Sequence, residues 1–363
     1  MRLPTAMMVT CMLMAVAAPA FAASHKDHDD CNADDPDRNI AGCTIVAQDR
    51  TEKAKTRANA YVGRGLAWQI KGDRDRAISD FTDAIRLNPK DALAYNNRGL
   101  AWNEKGDHDR AIADLTQAIR IDPLPRSDLP GMVHVNIYAN RGLAWQAKGD
   151  LDRAIADFDQ AIRLDPRDAD AFNRRGAAWS AMGQLDRAIS DFTIAIGANP
   201  KYVNAYFNRA LAWQAKSDLD AAIADFSDVI RLDPEFTNAY YGRGEVYMAK
   251  GNPDDAIADL SDAIRLDPKR PYVYYLRGAA WYDRYMRASA SINPKDLERA
   301  IANFTKAIHY GPYFAGAYYA RGLARSTNGQ HDRAVADLTE AVRLDPENPE
   351  MAAALKAAQA PVP

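Results

Sequence analysis

The sequence predicts an all-α fold, an α-solenoid of eight consecutive helix–turn–helix units, from two observations. The first is an internal period. Proline follows a similar apolar run eight times, 34 residues apart or 34 plus a short insertion, at Pro89, Pro123, Pro166, Pro200, Pro234, Pro268, Pro312 and Pro346. The second is the spacing within each unit, where apolar residues recur three and four apart in two stretches joined by a turn such as Lys71-Gly72-Asp73. This spacing predicts two amphipathic helices per unit.

Residues 1–22 are predicted to be a signal peptide. Arg2 supplies a positive charge, residues 6–18 are an apolar run, and residues 20–22 (Ala-Phe-Ala) fit a small-x-small cleavage site. The run is shorter than the roughly 20 residues that span a bilayer. We therefore expect cleavage, not a membrane anchor. The mature chain would start near Ala23, have no stable membrane insertion, and be exported to the periplasm or secreted.

Residues 23–57 are predicted to form a polar segment and a half repeat that caps the first unit. The stretch 37–44 echoes the stretch 75–82, and Cys43 falls where the repeat has Phe81. Because a bare end of a repeat stack needs covering, we expect this half repeat to act as the N-terminal cap.

Cys31 and Cys43 are the two cysteines that follow the predicted cleavage site, and an even pair in an exported chain predicts a disulfide bond. A metal site is the alternative, because ligand-type side chains lie close by at His25, Asp27, His28 and Asp29. Short tracts of this kind at a mature terminus are usually solvated tail. We therefore expect no metal and no cofactor.

Residues 58–346 hold the eight repeats. The repeated positions of the first one are Tyr61, Arg64, Gly65, Trp68, Ala77, Phe81, Ala84 and Pro89. This pattern resembles the tetratricopeptide repeat, which reads aromatic-x-x-Leu-Gly-x-x-Tyr, then Ala-x-x-x-Phe, then Pro. The resemblance covers the stretch from Ala58 to Pro346 in eight copies, and it implies a right-handed solenoid.

Four columns of the repeat are interpreted as structural positions. Small residues at the Gly65 and Ala77 positions let the paired helices approach closely, and the proline ends the second helix because it lacks an N–H. One column of the first helix holds all the tryptophans, which we interpret as core: Trp68, Trp102, Trp145, Trp179, Trp213 and Trp281. Arg325 stands in that column in the last repeat and predicts different packing there.

One column departs from the family, because arginine replaces leucine at Arg64, Arg98, Arg141, Arg175, Arg209, Arg243, Arg277 and Arg321. A site for an acidic ligand is one interpretation. The other is an ion pair within each repeat, since the second helix carries a matching column of Asp80, Asp114, Asp157, Asp191, Asp225, Asp259, Asn303 and Asp337. At about 100° per residue the arginine borders the buried stripe. We therefore favour the ion pair.

The resemblance implies that the first helices line a concave groove that binds a partner. The groove face begins as a row of amides and gains aromatic residues from the fifth repeat onward. Amides can bond an extended peptide backbone whatever its sequence, and tyrosine adds rigid contact area. We predict a peptide-binding groove formed by Asn97, Asn103, Asn136, Asn140, Gln146, Asn173, Arg174, Asn204, Asn208, Tyr241, Tyr275, Tyr282 and Tyr319.

Two insertions interrupt the frame and are further candidates for specificity. Residues 124–132 are predicted to be an irregular loop. Residues 285–297 are predicted to lengthen the first helix of the seventh repeat before Asn293-Pro294 restarts the chain. After the repeats, residues 347–363 hold a predicted capping helix and a short tail, with Asn348 as the helix N-cap.

Composition and motifs argue against other classes. The 46 basic and 49 acidic residues give a net charge of −3, so we expect no nucleic acid partner. Nucleophile-elbow, phosphate-loop, His-Glu-x-x-His and Cys-x-x-Cys motifs do not occur in the sequence. The sequence predicts a non-enzymatic scaffold or adaptor in the cell envelope that binds a peptide or protein. The alternatives are a structural module of an envelope or secretion assembly that self-associates as a homo-oligomer, and an enzyme of unrecognised type.

Overall fold

A computed structural model describes residues 22–122, 137–287 and 293–360. Within these ranges the chain forms nineteen α-helices and no strand, and they fall into two compact units that meet in sequence at Leu164 and Asp165. Unit 1 contains α1 (His25–Cys31), α2 (Pro36–Gln48), α3 (Ala54–Ile70), α4 (Arg74–Leu87), α5 (Ala92–Glu104), α6 (His108–Ile121), α7 (Ile137–Ala147) and α8 (Leu151–Leu164). Unit 2 contains α9 (Ala169–Ala181), α10 (Leu185–Ala198), α11 (Val203–Ala215), α12 (Leu219–Leu232), α13 (Thr237–Lys250), α14 (Pro253–Leu266), α15 (Pro271–Arg287), α16 (Pro294–Tyr310), α17 (Ala315–Thr327), α18 (His331–Leu344) and α19 (Pro349–Gln359).

The helices pack as consecutive helix–turn–helix pairs. Unit 1 holds the α1–α2 pair followed by three repeats, α3–α4, α5–α6 and α7–α8. Unit 2 holds five repeats from α9–α10 to α17–α18, and α19 packs on the last of them. Inside each unit, the second helix of one repeat also contacts the first helix of the next. The predicted all-α fold of eight repeats with a cap at each end is confirmed.

The turn inside a repeat is set by one left-handed residue and one aspartate cap. Gly72 has a φ of 78°, a conformation that a residue without a Cβ adopts readily. The side chain of Asp73 then accepts a hydrogen bond from the backbone N–H of Arg76 at 3.0 Å and caps α4. Ser217, with a φ of 62°, takes the left-handed position in the fifth repeat. The sharp turn therefore comes from local backbone chemistry.

The core of each repeat is a large side chain of the second helix facing a small residue of the first. Phe81 and Ala77 are completely buried. A Cβ built on Gly65 would lie 2.6 Å from the Cε1 atom of Phe81, closer than real contacts allow. In the sixth repeat, a Cβ built on Gly244 would meet the Cγ of Leu260 at 2.9 Å. The predicted close approach of the two helices is confirmed.

The tryptophan column is half-buried and less central than the sequence interpretation had it. Trp68 packs at the edge of a core whose fully buried members include Phe81. Its outer face carries the guanidinium of Arg76, 4.5 Å from the ring centroid, and Arg153 lies 4.0 Å from the ring of Trp145 in the same way. A charged group can cover an aromatic face favourably. These tryptophans therefore join the core to the solvated surface of each repeat.

The arginine column forms the predicted ion pairs within the repeats. The Nε and Nη2 atoms of Arg64 donate to Asp80 at 2.8 and 2.7 Å. Arg141 binds Asp157 in the same two-pronged geometry, and its Nη1 also donates to the Thr116 hydroxyl of the preceding repeat at 3.1 Å. The two-pronged bond recurs from Arg98 to Asp114, Arg175 to Asp191, Arg209 to Asp225, Arg243 to Asp259 and Arg321 to Asp337. The column therefore stabilises the stack.

The seventh repeat lacks this ion pair, and the eighth repeat adds a second arginine to it. In the seventh repeat, the Nε of Arg277 donates to the Asn303 amide oxygen at 2.9 Å, and burial lowers the pKa of Arg277. In the eighth repeat, Arg325 takes the tryptophan position and shares the carboxylate of Asp337 with Arg321. The different packing expected at Arg325 is confirmed.

The N-terminal helices α1 and α2 act as a half repeat. The Sγ atoms of Cys31 and Cys43 lie at bonding distance and their Cα atoms are 4.4 Å apart. Cys43 is completely buried. Arg64 donates to the Thr44 hydroxyl at 2.9 Å, as other repeat arginines do to the repeat before them. This half repeat covers the first full repeat in the way that the sequence predicted.

The C-terminal helix α19 covers the other end. The side chain of Asn348 accepts hydrogen bonds from the backbone N–H groups of Glu350 and Met351. Met351 is 6% exposed, and α19 packs against α17 and α18. The predicted N-cap and capping helix are confirmed.

The two insertions are described to different extents. Residues 124–132 lie outside the described residues, as do residues 288–292. Around the second insertion, α15 continues to Arg287, and α16 starts at Pro294 with Asn293 as its N-cap. The expected lengthening of the first helix is seen over residues 285–287, and the expected restart of the chain at Asn293-Pro294 agrees with the start of α16.

The lengthened α15 is tied to its neighbours by one arginine. The Nη2 of Arg284 donates to the buried Asp296 at 2.7 Å, and its Nη1 donates to Asp254 at 2.7 Å.

Among the helices in the described ranges, none is both long enough and apolar enough to cross a membrane.

Candidate functional site

Two predicted amides of unit 1, Asn97 and Asn140, are each bonded to the neighbouring Asn96. Asn140 donates from Nδ2 to the Oδ1 of Asn96 at 2.9 Å, and Asn96 donates in turn to the Oδ1 of Asn97 at 3.1 Å. Asn96 and Asn97 are buried, at 2% and 6% exposure. The Nδ2 of Asn97 is buried with no hydrogen-bond partner in the described part of the chain. We name Asn96, Asn97 and Asn140 the amide network.

The other predicted amides of unit 1 are more open. Asn103 and Gln146 are half-buried, and the Oδ1 of Asn103 lies 2.7 Å from the Nδ1 of His108. Asn136 falls outside the described residues. Asn96 is a residue that the sequence prediction missed. It stands two positions before the repeat arginine, where Asn173 also stands, and that shared column is the signal that could have found it.

In unit 2 a second polar network surrounds Asn173. Asn208 donates to the Oδ1 of Asn173 at 3.0 Å, and Asn173 donates to the Tyr202 hydroxyl at 3.3 Å. That hydroxyl donates to Asp170 at 2.7 Å, and Arg174 forms an ion pair with the same carboxylate. Burial, and then the bond to Asp170, raise the pKa of Tyr202. The charge of Arg174 is balanced by its ion pair with Asp170. Asn204 is exposed at the edge of this network.

Four rings in unit 2 form a continuous cluster, which we name the aromatic cluster: Tyr241, Tyr272, Tyr275 and Phe314. The ring of Tyr272 stacks on Tyr275 with centroids 5.7 Å apart and lies 6.0 Å from the rings of Tyr241 and Phe314. Tyr275 lies 4.9 Å from Phe314 and 5.9 Å from the buried Phe304. Tyr272 is 44% exposed. The cluster thus rests on the core and presents one open ring.

The sequence predicted two members of this cluster and missed two. Tyr241 and Tyr275 were predicted, and the structure brings them together through Tyr272. Tyr272 lies one helical turn before Tyr275, and Phe314 precedes α17. Helical spacing from Tyr275 could have found Tyr272. Phe314 lies outside the helices, so no helical spacing marks it, but Tyr202 and Phe236 stand at the same position after the repeat proline, and that aromatic column could have found it.

The two remaining predicted tyrosines lie near the cluster without joining its ring contacts. The Tyr282 hydroxyl lies 3.1 Å from the Thr327 hydroxyl, and Tyr282 packs against a buried cluster that includes Leu297 and Phe304. Tyr319 is half-buried, and its pKa is raised by burial and by the neighbouring Glu350. The Tyr319 hydroxyl therefore stays neutral at physiological pH.

Carboxylates border the aromatic cluster. Tyr241 donates to the Oε1 of Glu245 at 2.8 Å. Burial raises the pKa of Tyr272, and Glu245 raises it further. A cleft of about 330 Å³ next to Asn238 is lined by Asp233, Glu235, Asp267 and Arg270, among others. Because three of its charged groups are acidic and one is basic, the cleft carries a net negative charge.

Two arginines of this part of unit 2, Arg270 and Arg287, are paired with carboxylates. Arg270 lies 3.3 Å from Asp267, and it donates to the Asn238 amide oxygen at 2.7 Å. Arg287 forms an ion pair with Asp283 at 2.7 Å. Within the described ranges, no group of three or more His, Cys, Asp and Glu side chains is arranged to hold a metal ion.

Stacked helix pairs with a small-residue seam, a left-handed turn and a capping helix define a helical repeat protein. Family models agree with the helix pairs. The model described as "Tetratricopeptide repeat" matches residues 71–124, 180–235, 214–271, 241–284 and 285–349, and that described as "TPR repeat" matches residues 142–183. The chain belongs to the tetratricopeptide repeat family.

Solved structures show the same fold at low sequence identity. A tetratricopeptide repeat protein from Parabacteroides merdae is 21% identical, with a TM-score of 0.51 over 74% of this chain and 98% of that one. PilW, a type IV pilus biogenesis factor, is 19% identical, with a TM-score of 0.52 over 58% and 94%. PilF of Pseudomonas aeruginosa is 15% identical, with a TM-score of 0.51 over 60% and 95%. A search of the curated proteins found no match.

Proposed function

We propose that this chain is a non-enzymatic protein-interaction scaffold that binds an extended segment of a partner protein, with the aromatic cluster as its anchor. The observation that carries the proposal is the open ring of Tyr272 on a stack built by Tyr275 and Phe314. Rigid aromatic side chains give large contact area at low entropic cost and dominate the energetics of many interfaces. The helix pairs hold this anchor in place.

The charges around the cluster favour a partner segment that carries lysine or arginine. Glu245 lies at its edge, and the adjacent cleft adds Asp233, Glu235 and Asp267. A cation is attracted by the face of a tyrosine ring and by a nearby carboxylate. Arg270 offsets Asp267, so Asp233, Glu235 and Glu245 supply the net negative charge that attracts the cation.

Peptide probes test the proposal on the exported full chain. Three fluorescent peptides of about 12 residues would share one glycine- and proline-containing frame and carry lysine and arginine, glutamine, or glutamate at the variable positions. Fluorescence polarisation should show the basic peptide binding at least about ten-fold more tightly than the others. The Tyr272→Leu variant should weaken that binding about ten-fold.

Tyr313→Leu is the matched control. Tyr313 is 82% exposed and makes no ring contact with the aromatic cluster, so its replacement should leave the affinity unchanged. Equal affinity for the basic and glutamine peptides would remove the charge preference and keep the anchor. If no peptide binds, and a photo-crosslinking amino acid at Tyr272 captures no protein from the envelope fraction, the groove proposal is wrong.

We also propose that the chain works outside the cytoplasm with a Cys31–Cys43 disulfide. The leader-like residues 1–22 support export, and the close approach of the two sulfur atoms supports the bond. Alkylation without reductant, followed by intact-mass measurement on protein from the envelope fraction, tests both. The expected mass lacks residues 1–22 and carries no alkyl groups. A full-length mass, or two alkylated cysteines, would contradict the corresponding part.

A further inference from the structure

The carboxylate of Asp49 is buried between α2 and α3. Asp49 is only 2% exposed. Its Oδ1 accepts hydrogen bonds from the Thr51 N–H at 2.8 Å and from the Thr51 hydroxyl at 2.7 Å. Its Oδ2 accepts one from the backbone nitrogen of Ala23 at 2.7 Å. The residue that holds the second oxygen is therefore the predicted first residue of the mature chain.

Among the residues that the structure describes, the Asp49 carboxylate forms no ion pair with a cationic side chain. The hydrogen bonds from Thr51, then that from Ala23, lower the pKa of Asp49, so its carboxylate is charged at physiological pH. Arg57 is close enough to favour this charge, but its Nε donates to the Ala47 carbonyl at 2.9 Å. A buried charge is costly unless an opposite charge balances it. Ala23 supplies only a neutral amide donor while residue 22 is attached.

We propose that cleavage of the Ala22–Ala23 bond converts this donor into an α-ammonium group that forms a buried ion pair with Asp49. One water hydrolyses the amide, in a reaction that an envelope peptidase would catalyse. Ala22 leaves as a carboxylate, and the Ala23 nitrogen becomes an ammonium. Ala22 is exposed, so the bond is open to attack.

Through this ion pair, the stability of the N-terminal cap depends on cleavage after Ala22. Ala23 packs at the edge of a buried cluster that includes Cys43, Val46 and Ala47. An ammonium fixed at Asp49 holds this edge closed over α2. A mature chain that began one residue earlier or later would place its charge away from the carboxylate. Only a mature chain that starts at Ala23 therefore stabilises the cap through this ion pair.

The experiment compares the exported chain carrying a free amine with the same chain acetylated at that amine. Acetylation removes the charge and keeps an N–H donor, and Asp49→Asn removes the carboxylate charge and keeps an acceptor. Hydrogen exchange of α1 and α2 should become about ten-fold faster on acetylation of the native sequence. In the Asp49→Asn chain, acetylation should change the rate little. Asp37→Asn is the matched control, since its ion pair with Lys71 lies on the exposed face of the same cap.

The inference rests on the proposed export, and the two fail in different ways. Intact mass should place the first residue at Ala23, and a chain that keeps residues 1–22 would overturn both. A chain that starts at Ala23 but exchanges equally fast with and without the acetyl group would overturn the ion pair alone. Neither result bears on groove binding, which the peptide probes measure separately.

Discussion

The same helix position carries opposite chemistry in the second repeat, which lies in unit 1, and in the seventh repeat, which lies in unit 2. Two residues before the repeat arginine stands Asn96 in unit 1 and Tyr275 in unit 2. Asn96 is almost completely buried, and its amide bonds both Asn97 and Asn140. Tyr275 rests on Phe304 and supports the exposed ring of Tyr272. The amide network is bonded internally except at the Nδ2 of Asn97, which has no partner in the described part of the chain, whereas the aromatic cluster exposes a ring that a partner could contact.

Within the same repeat pattern, the amide network is expected to contribute to stability and the aromatic cluster to binding. A buried amide that is bonded to other amides helps to fix the spacing of neighbouring repeats. A tyrosine pair with one open face offers contact area without a large rearrangement. The partner is therefore expected to be held mainly by unit 2, and substitutions in the two networks should have different consequences.

The largest expected effect is the loss of the ring at the base of the aromatic cluster. Tyr275→Ala should lower the unfolding free energy of unit 2 by about 3 kcal/mol, because the ring packs against Phe304 and Phe314. Urea denaturation followed by circular dichroism measures it. Tyr313→Ala, at an 82% exposed site, should change stability little. A loss below about 1 kcal/mol would mean that the cluster does not rest on the core.

The next effect tests the frame that both units share. Asp157→Asn should cost about 2 kcal/mol, because the guanidinium of Arg141 loses its two-pronged carboxylate and keeps its bond to Thr116. Denaturant midpoints measure the loss, and Asp109→Asn is the control, since its ion pair with Lys148 is exposed. Affinity for the basic peptide should stay unchanged. A fall in that affinity would return the arginine column to the list of binding residues.

A smaller effect is expected from the amide network itself. Asn140→Ala should cost about 1.5 kcal/mol, because the buried Oδ1 of Asn96 loses its donor. Asn204→Ala, at an exposed amide, should have almost no effect. Hydrogen exchange in α5 and α7 locates the change. If Asn140→Ala leaves exchange unaltered and weakens peptide binding about ten-fold, the amides are binding groups and the contrast between the units fails.

The repeat frame could be predicted because each of its positions is sampled eight times. The pairing of Arg141 with Asp157 follows from two columns that face each other across a fixed turn, and the Cys43 position followed from its echo of Phe81. The cap helix α19 was predicted from the asparagine and proline that start it. These features depend on local chemistry and on a period, both of which a sequence displays.

The contents of the groove could be predicted only in part. Which of two adjacent amides turns toward the next repeat depends on the spacing between repeats, so Asn96 was missed beside Asn97. Phe314 joins the aromatic cluster from the segment before α17, where no helical period applies. The bond between Ala23 and Asp49 spans 26 residues and has no repeated counterpart.

The smallest expected effect is a gain in the seventh repeat. Asn303→Asp should stabilise unit 2 by about 1 kcal/mol, because Arg277 would acquire the carboxylate that the other repeat arginines have. A carboxylate paired with arginine has a folded-state pKa below the unfolded value of about 3.9. The gain should therefore be complete at pH 7 and should disappear as the pH falls through that lower pKa. Thermal unfolding at pH 7 and at low pH measures it. A loss at pH 7 would show that burying the new charge outweighs its pairing with Arg277, and that asparagine suits this repeat as it stands.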